Sequence, residues 1–169
     1  VECCRVLMEG GADKEAVDGD GRTALWHAAN GNHRECGVAL LEGGAALPAM
    51  AVSREEQLRA SAESGDVALV RQLLWSGTGT EAVAGGGCTA LWLAAGNGHA
   101  AVVESLLAAG ANKEAANRDG YRPLHMAARY GHPDCVRLLL AAGADKTARD
   151  NNGKTPLAWA KPNCRELLR

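Results

Sequence analysis

The sequence predicts an all-α repeat solenoid, an array of short helix-turn-helix units joined by hairpin loops. Two markers recur with one period along the 169 residues. The first is a leucine in a short apolar run, repeated every 33 residues at Leu25, Leu58, Leu91, Leu124 and Leu157. The second is a glycine after a leucine-rich stretch, at Gly11, Gly44, Gly77, Gly110 and Gly143. A fixed period of about 20 to 50 residues is the signature of a stacked solenoid.

The first helix of each unit is clearest within residues 119–146. Pro123 suits the first turn of a helix, because the N–H that proline lacks would have no partner there. Leu124 and Ala127–Ala128 follow at i, i+3 and i+4, on one face of a helix of about two turns. Gly131 permits the left-handed backbone that ends such a helix. The pattern therefore predicts a short, glycine-terminated helix.

A second helix and a loop complete the unit. The helix is predicted from about Pro133 to Ala142, with Val136 and Leu139–Leu140 on one face and Gly143 closing it. The connector to the next unit is polar and contains Asn152–Gly153, a tight-turn signal. We therefore expect an extended hairpin loop between successive helix pairs.

Stacking must supply the core, since isolated helices below about 12 to 15 residues are marginal in water. Alanine pairs such as Ala28–Ala29 and Ala94–Ala95 are expected to let neighbouring first helices approach closely. Leucine pairs, together with Leu106, are expected to fill the layer behind them. Each unit then contacts only its neighbours, and stability is roughly a sum of interface terms.

The runs TALWHAA, TALWLAA, RPLHMAA and TPLAWA, with their 33-residue period, resemble the ankyrin repeat and its T-P-L-H-x-A signature. The resemblance covers nearly the whole chain. It indicates one array, and because Val1 lies partway through a repeat we expect a longer parent protein. The array comprises a half repeat at 1–17, full units at 18–50, 51–83, 84–116 and 117–149, and a shortened unit at 150–169.

Two units depart from the pattern. In unit 51–83, Arg54 replaces the hairpin glycine and Glu56 the threonine, after an apolar connector, so we predict a folded but weak unit. In the last unit, Leu167–Leu168 comes about five residues early against Leu139–Leu140, which indicates either a terminal cap or a truncated helix.

Composition limits the classes of partner and compartment. The net charge is -2 and the pI is about 6.2, with basic and acidic residues interspersed, so no face for nucleic acid is expected. No run approaches 18 apolar residues, so no membrane span is expected. Cys3, Cys36 and Cys135 share one repeat position with aliphatic residues, and neighbouring repeats lie too far apart for disulfides. Reduced thiols favour an intracellular compartment, which we expect to be the cytoplasm. We also expect a monomer.

Tryptophan beside histidine in TALWHAA is interpreted as packing. In the family pattern, a threonine and a histidine of T-P-L-H hydrogen-bond within the turn, but here the two never occur together. Trp26 and Trp92 replace the histidine, and His125 remains where Arg122 replaces threonine. Indole bulk is expected to substitute for these bonds, with each indole N–H needing a partner.

We predict no catalytic residues, cofactor or metal. His27 lacks the neighbours that a general base needs. His33, His99 and His132 recur at the start of second helices, too far apart to share a zinc ion, so a structural role in the turn is expected. Gly85–Gly87 lacks the Gly-Lys-Ser/Thr ending of a phosphate loop and is predicted to be a hairpin tip.

The resemblance implies a non-enzymatic protein-interaction scaffold that binds through the hairpin tips and the concave face of the first helices. The strongest candidates are Tyr121, Arg129 and Tyr130, because tyrosine and arginine dominate interface hot spots. The alternative is that these positions are merely solvated. Carried position by position, the predicted partner-binding residues are Asp20, Arg22, Arg118, Asp119, Tyr121, Arg129, Tyr130, Asn151 and Lys154.

Two alternatives stay open. The chain could be an accessory ankyrin region of a larger enzyme or adaptor, of kinase or ubiquitin-ligase type, with catalysis encoded elsewhere; an independent enzyme has no supporting motif. Trp75, at the end of a second helix, either covers a defect in its own unit or forms a contact on the convex side.

Overall fold

A computed structural model describes residues 9–46 and 53–169. Within these residues the chain forms ten α-helices, in five consecutive pairs, and no β-strand. The helices are α1 (Ala24–Asn30), α2 (Arg34–Glu42), α3 (Arg54–Ser64), α4 (Val67–Trp75), α5 (Ala90–Asn97), α6 (Ala100–Ala108), α7 (Pro123–Tyr130), α8 (Pro133–Ala141), α9 (Pro156–Trp159) and α10 (Pro162–Leu168). The predicted all-α solenoid is confirmed.

First helices begin and end where local chemistry predicts. Thr23 and Thr89 cap α1 and α5, because each hydroxyl accepts the backbone N–H three residues later, at 3.3 and 3.2 Å. Pro123 occupies the first turn of α7, and Gly131 ends that helix with a left-handed φ of 81°. The predicted second helix from Pro133 is also confirmed and ends at Ala141.

The core runs between the two layers of helices. The first helices α3, α5, α7 and α9 pack on one another in sequence, and the second helices do the same behind them. Leu58, Leu91, Leu124 and Leu139 are at most 1% exposed, and one hydrophobic cluster extends from Leu58 to Leu168. Leu106 is fully buried, as predicted.

Hairpin loops join the helix pairs. Their tips close with backbone bonds such as Asn117 N–H to Tyr121 O at 3.0 Å and Asp150 N–H to Lys154 O at 2.9 Å. Three glutamates link neighbouring connectors by accepting a backbone N–H 31 positions later: Glu15 from Ala46 at 2.8 Å, Glu81 from Asn112 at 2.9 Å and Glu114 from Asp145 at 2.9 Å.

Histidines at the start of second helices link neighbouring units. The Nε2 atom of His99 lies 2.9 Å from the carbonyl oxygen of Glu63, and that of His132 lies 3.0 Å from the carbonyl oxygen of Gly96. The predicted structural role is therefore confirmed for these two, but the bond reaches the preceding unit rather than staying within the turn. A side chain at Gly98 would contact the His132 ring at 2.5 Å, so the close approach requires glycine.

The first helix pair is placed differently from the others. Its main neighbour in the next unit is not the first helix α3 but the second helix α4, on which α1 packs. The prediction that Ala28–Ala29 faces a neighbouring first helix is therefore wrong, whereas Ala94–Ala95 on α5 does so, as predicted. Leu25, Ala28, Leu40 and Ala45 form a separate small core.

Trp75 completes this small core. Gly37 of α2 stands where other units have Val70, Val103 or Val136, and the indole of Trp75 fills the space. A Cβ atom at Gly37 would lie 2.2 Å from Cε3 and Cζ3 of that ring. Trp75 thus covers a defect in the neighbouring unit, which corrects the reading that it covers one in its own unit. The alternative reading, a contact on the convex side, stays a prediction.

Unit 51–83 differs from the other units at Arg54. Where the other units have glycine with positive φ, Arg54 is already the first residue of α3, capped by the Ser53 hydroxyl, which accepts the Glu56 N–H at 3.2 Å. Most of the apolar connector before it lies outside the described residues. Leu58 and Leu73 nevertheless join the large cluster, and among the described residues Trp75 of the same unit packs against the small one.

The last unit is shortened within its first helix. α9 has 4 residues where α7 has 8, and α10 then follows as the second helix of the unit. Cys164 and Leu168 are buried like Cys135 and Leu139, 29 residues earlier. The sequence alignment of Leu167 with Leu139 is therefore wrong by one residue, and Leu168 is the equivalent position.

Candidate functional site

A group of aromatic rings and cations lies at the first helices and hairpins of the last two units. Tyr121 follows a hairpin tip, Arg129 and Tyr130 end α7, Lys154 follows the next tip, and Trp159 ends α9. We call these five residues the cation-aromatic cluster. Four of them are among the predicted partner-binding residues.

Arg129 is the centre of this cluster. Its guanidinium carbon lies 4.9 Å from the ring centroid of Trp159, 5.6 Å from that of Tyr121 and 6.0 Å from that of Tyr130. The ammonium of Lys154 lies 4.4 Å from the Trp159 ring. Each such contact is worth about 0.5 to 1 kcal/mol at an exposed site. The contacts therefore orient two cations without neutralising either.

Asp150 anchors the tryptophan. Its buried carboxylate accepts the Trp159 indole N–H at 2.8 Å and the backbone N–H groups of Asn152 and Lys154, both at 2.9 Å. Desolvation raises the pKa of Asp150, but the bonds from the Lys154 N–H and the Trp159 indole outweigh it and lower the pKa below its usual value. The carboxylate stays ionised and keeps the ring in one orientation.

The backbone around Tyr121 is held by hydrogen bonds with the side chains of Trp92 and His125. The backbone carbonyl of Tyr121 accepts the Trp92 indole N–H at 3.0 Å, the partner predicted for an indole that replaces histidine. His125 is buried, with Nδ1 accepting the Arg122 N–H at 3.3 Å and Nε2 3.2 Å from the Lys154 carbonyl. Desolvation lowers the pKa of His125, so the ring is neutral at pH 7.

Part of this cluster is open to solvent. Tyr130 is 49% exposed and is one of the few exposed large hydrophobic residues within the described part of the chain. Lys154 is also exposed, whereas Tyr121, Arg129 and Trp159 are half-buried. The arrangement can present an ordered aromatic and cationic surface to another molecule.

Comparison with protein families accounts for the repeated helix pairs. The family model described as "Ankyrin repeats (3 copies)" matches residues 58–150, and the model described as "Ankyrin repeat" matches residues 20–50. The chain belongs to the ankyrin repeat family. No curated protein matches it. Ankyrin repeats are in general protein-interaction modules, and the matches indicate no catalytic family.

Asp20 and Arg22 lie elsewhere on the ankyrin array, three units before the cation-aromatic cluster. They pair with each other at 2.9 Å, and Arg22 lies 4.6 Å from the ring centroid of Trp26. The rings of Trp26 and His27 meet edge to face at 5.1 Å, while His27 Nε2 lies 2.7 Å from an Asp18 oxygen. Trp26 is half-buried, which fits the packing interpretation. His27 is exposed, and Asp18 is within hydrogen-bond reach of its ring, which corrects the expectation that this histidine lacks such a neighbour.

Arg118, Asp119 and Asn151 form the outer edge of the hairpin tips and are exposed. The Asn151 side-chain amide donates to the Arg118 carbonyl at 2.9 Å, and its backbone N–H donates to the Asp119 carbonyl at 3.1 Å. Asn151 therefore connects two successive tips. The prediction that these three residues contact a partner stays a prediction.

Trp159 is the residue that the sequence analysis missed. It is equivalent to Met126, a position that varies along the array, and Met126, Arg129 and Tyr130 lie at i, i+3 and i+4. This spacing places Trp159 on the same face of the first helices as the selected residues. Trp159 lies within the apolar run TPLAWA, and only its repeat position indicates this face.

Among the described residues, no group of three or more His, Cys, Asp or Glu could hold a metal ion. Cys36, Cys88, Cys135 and Cys164 are free thiols, and burial raises the pKa of Cys135 to about 11. Cys3 and Cys4 lie outside the described residues.

Gly86 and Gly87, with φ of 90° and 84°, form a hairpin tip as predicted. In the described ranges, no helix has the length and hydropathy needed to cross a bilayer.

Proposed function

We propose that this ankyrin array is a non-enzymatic scaffold that binds a partner protein through the cation-aromatic cluster and the adjoining hairpin tips. The observation that carries the proposal is the contact of one guanidinium, Arg129, with three aromatic rings on a partly exposed surface. Tyrosine, tryptophan and arginine are the residue types that dominate interface hot spots.

Preorganisation supports this role. Binding costs about 0.5 to 1.5 kcal/mol for each flexible side chain that becomes ordered. Arg129 is already held against rings, and Trp159 is already bonded to Asp150 at 2.8 Å. The cluster therefore loses little side-chain entropy when a partner covers it, and more of the contact energy remains as affinity.

Charge indicates what the partner presents. The exposed cations of this surface are Arg118 and Lys154, with Arg129 half-buried, and Asp119 is its exposed acid. Asp150 is buried beneath Trp159. The surface is therefore locally basic although the whole chain carries a net charge of -2. We expect an acidic rim on the partner, which increases the association rate at low salt.

Binding by proximity labelling and pull-down, with the whole chain as bait, tests the proposal. Arg129→Ala and Tyr130→Ala should each weaken capture, and a loss of about 2 kcal/mol corresponds to about a 30-fold rise in Kd. Arg137→Ala is the matched control, because Arg137 is an exposed arginine of the same unit on the second helix α8. Binding profiles that are identical for all three variants would remove the cluster as the binding surface.

The remaining assignments are part of the same proposal. We propose a single array with the units given above, acting as a monomer in a reducing intracellular compartment without binding nucleic acid. The free thiols of Cys36 and Cys88, which are only half-buried, support a reducing environment. The net charge of -2 and the interspersed basic and acidic residues support the exclusion of nucleic acid, since the locally basic surface has only three cations.

A further inference from the structure

A cavity of about 150 Å³ opens on the face formed by the second helices, where the offset first unit meets the next two. Helices α2, α4 and α6 border it. Its lining includes Arg34, Arg71, Leu74, Trp75, Ser105 and Ala108. Within the described ranges 9–46 and 53–169, no aspartate or glutamate lines it. The cavity therefore combines two guanidinium groups with apolar walls.

Arg71 is fixed in place at this cavity. Its Nη1 donates to the carbonyl oxygen of Ala29 at 2.9 Å, at the C-terminal end of α1, and its Nε donates to the Ser105 hydroxyl at 3.3 Å. Guanidinium has five N–H donors. These bonds leave Nη2 without an acceptor among the described residues, so part of the fork remains available to a ligand.

Arg34 and Trp75 contribute further donors that have no acceptor within the described residues. Arg34 is the first residue of α2, where a cation opposes the helix dipole, and it stabilises that helix in no evident way. Trp75 uses its benzo edge to cover Gly37, as Cε3 and Cζ3 are the atoms nearest to that glycine. Its indole N–H belongs to the opposite edge of the ring.

We infer that this cavity binds one carboxylate carried on a short apolar stem, as an aspartate or glutamate side chain of an extended peptide provides. Neither guanidinium has an acidic partner among the described residues, and a carboxylate in the cavity would form charge-assisted bonds with them. Leu74 and Ala108 suit the methylene stem. The site lies on the second helices, away from the cation-aromatic cluster, and does not depend on the proposed function.

Titration of the 15N-labelled whole chain tests the inference at constant ionic strength, with the Trp75 indole resonance as readout, assigned by Trp75→Phe. The probes are the blocked tripeptide Ala-Glu-Ala, the same peptide with glutamine, and inorganic phosphate. We expect a saturable shift with the glutamate peptide, at about millimolar Kd for so small a ligand. The glutamine peptide should cause none.

Variants separate this site from general charge. Arg34→Gln should weaken binding of the glutamate peptide at least tenfold. Arg34→Lys should weaken it less, because lysine keeps the positive charge but lacks the paired donors of a guanidinium. Arg54→Gln is the matched control, since Arg54 also opens a helix, has no acceptor in the described residues and does not line the cavity. Tyr130→Ala should leave the titration unchanged.

Four results would overturn the inference. They are an equal response to the glutamine peptide, equal weakening by Arg34→Gln and Arg54→Gln, tighter binding of phosphate than of the glutamate peptide, and loss of the response in Tyr130→Ala. Circular dichroism of each variant excludes unfolding as the cause, and none of these results bears on the partner proposed for the cation-aromatic cluster.

Discussion

The effect of Gly37→Ala on the free energy of unfolding should change sign according to whether Trp75 is present. Glycine inside a helix is about 1 kcal/mol less favourable than alanine, so the helix alone would gain by the change. The new methyl, however, would lie 2.2 Å from the Trp75 ring, and forced repacking costs about 1 to 3 kcal/mol. In the natural chain we therefore expect a net loss of about 0 to 2 kcal/mol.

Removal of the indole should reverse this result. In a Trp75→Ala background the methyl has space, and Gly37→Ala should stabilise the chain by about 1 kcal/mol. The coupling free energy between the two positions is then about 1 to 3 kcal/mol. Trp75→Ala alone should cost less than the about 3 to 5 kcal/mol of a fully buried tryptophan, because Trp75 is only partly buried.

Urea unfolding followed by circular dichroism measures all four chains of this cycle. Gly96→Ala is the matched control, because Gly96 also lies in a helix and its Cβ would meet Met126 at an ordinary 3.7 Å. That variant should gain stability with or without the indole. If Gly37→Ala shifts the free energy of unfolding equally in both backgrounds, Trp75 does not occupy the space at Gly37 and the reasoning fails.

Three further predictions concern the stability of the array. Leu106→Ala should cost roughly 2 to 5 kcal/mol in urea unfolding, and a loss below about 0.5 would contradict its burial. Backbone amides around Leu25 should exchange with solvent first, then those around Leu58, and those around Leu91 last. The first unit should exchange earliest because it has its own small core, and the opposite order would refute this. The Arg22 N–H and the His27 ring lower the pKa of Asp18 from 3.8 to about 2. The contribution of ionised Asp18 to the free energy of unfolding is therefore present above pH 4 and lost as the pH falls towards 2. An unchanged pH dependence of the unfolding midpoint in Asp18→Asn would contradict this.

Helix bounds in unit 117–149 could be predicted because every local signal agrees. Pro123 and Pro133 favour helix starts, and Gly131 and Gly143 favour ends, so no choice depends on distant contacts. The position of α1 could not be predicted in the same way. Alanines such as Ala28 suit close approach to either helix of a neighbour. In the structure α1 packs on α4, whose Trp75 also fills the space at Gly37.

The candidate site shows the same division. Tyr121, Arg129 and Tyr130 could be selected from residue type and repeat position alone. Their union with Lys154 and Trp159 depends on how two successive units stack, and on the bond from the indole to Asp150. The cavity between α2, α4 and α6 could not be predicted at all, because Arg34, Arg71 and Ser105 belong to three different units and Arg34 reaches the other two only through the offset first pair.

The helical backbone at Arg54 marks one end of a series of linked hairpin loops. Successive loops are joined where the Arg118 N–H meets the Gly86 carbonyl at 2.9 Å and where the Asn151 N–H meets the Asp119 carbonyl. At Arg54 the backbone is already helical, so this series does not extend through that residue towards Asp20. For the partner that we propose, we therefore expect a footprint of the three consecutive tips that follow Arg54 along the chain.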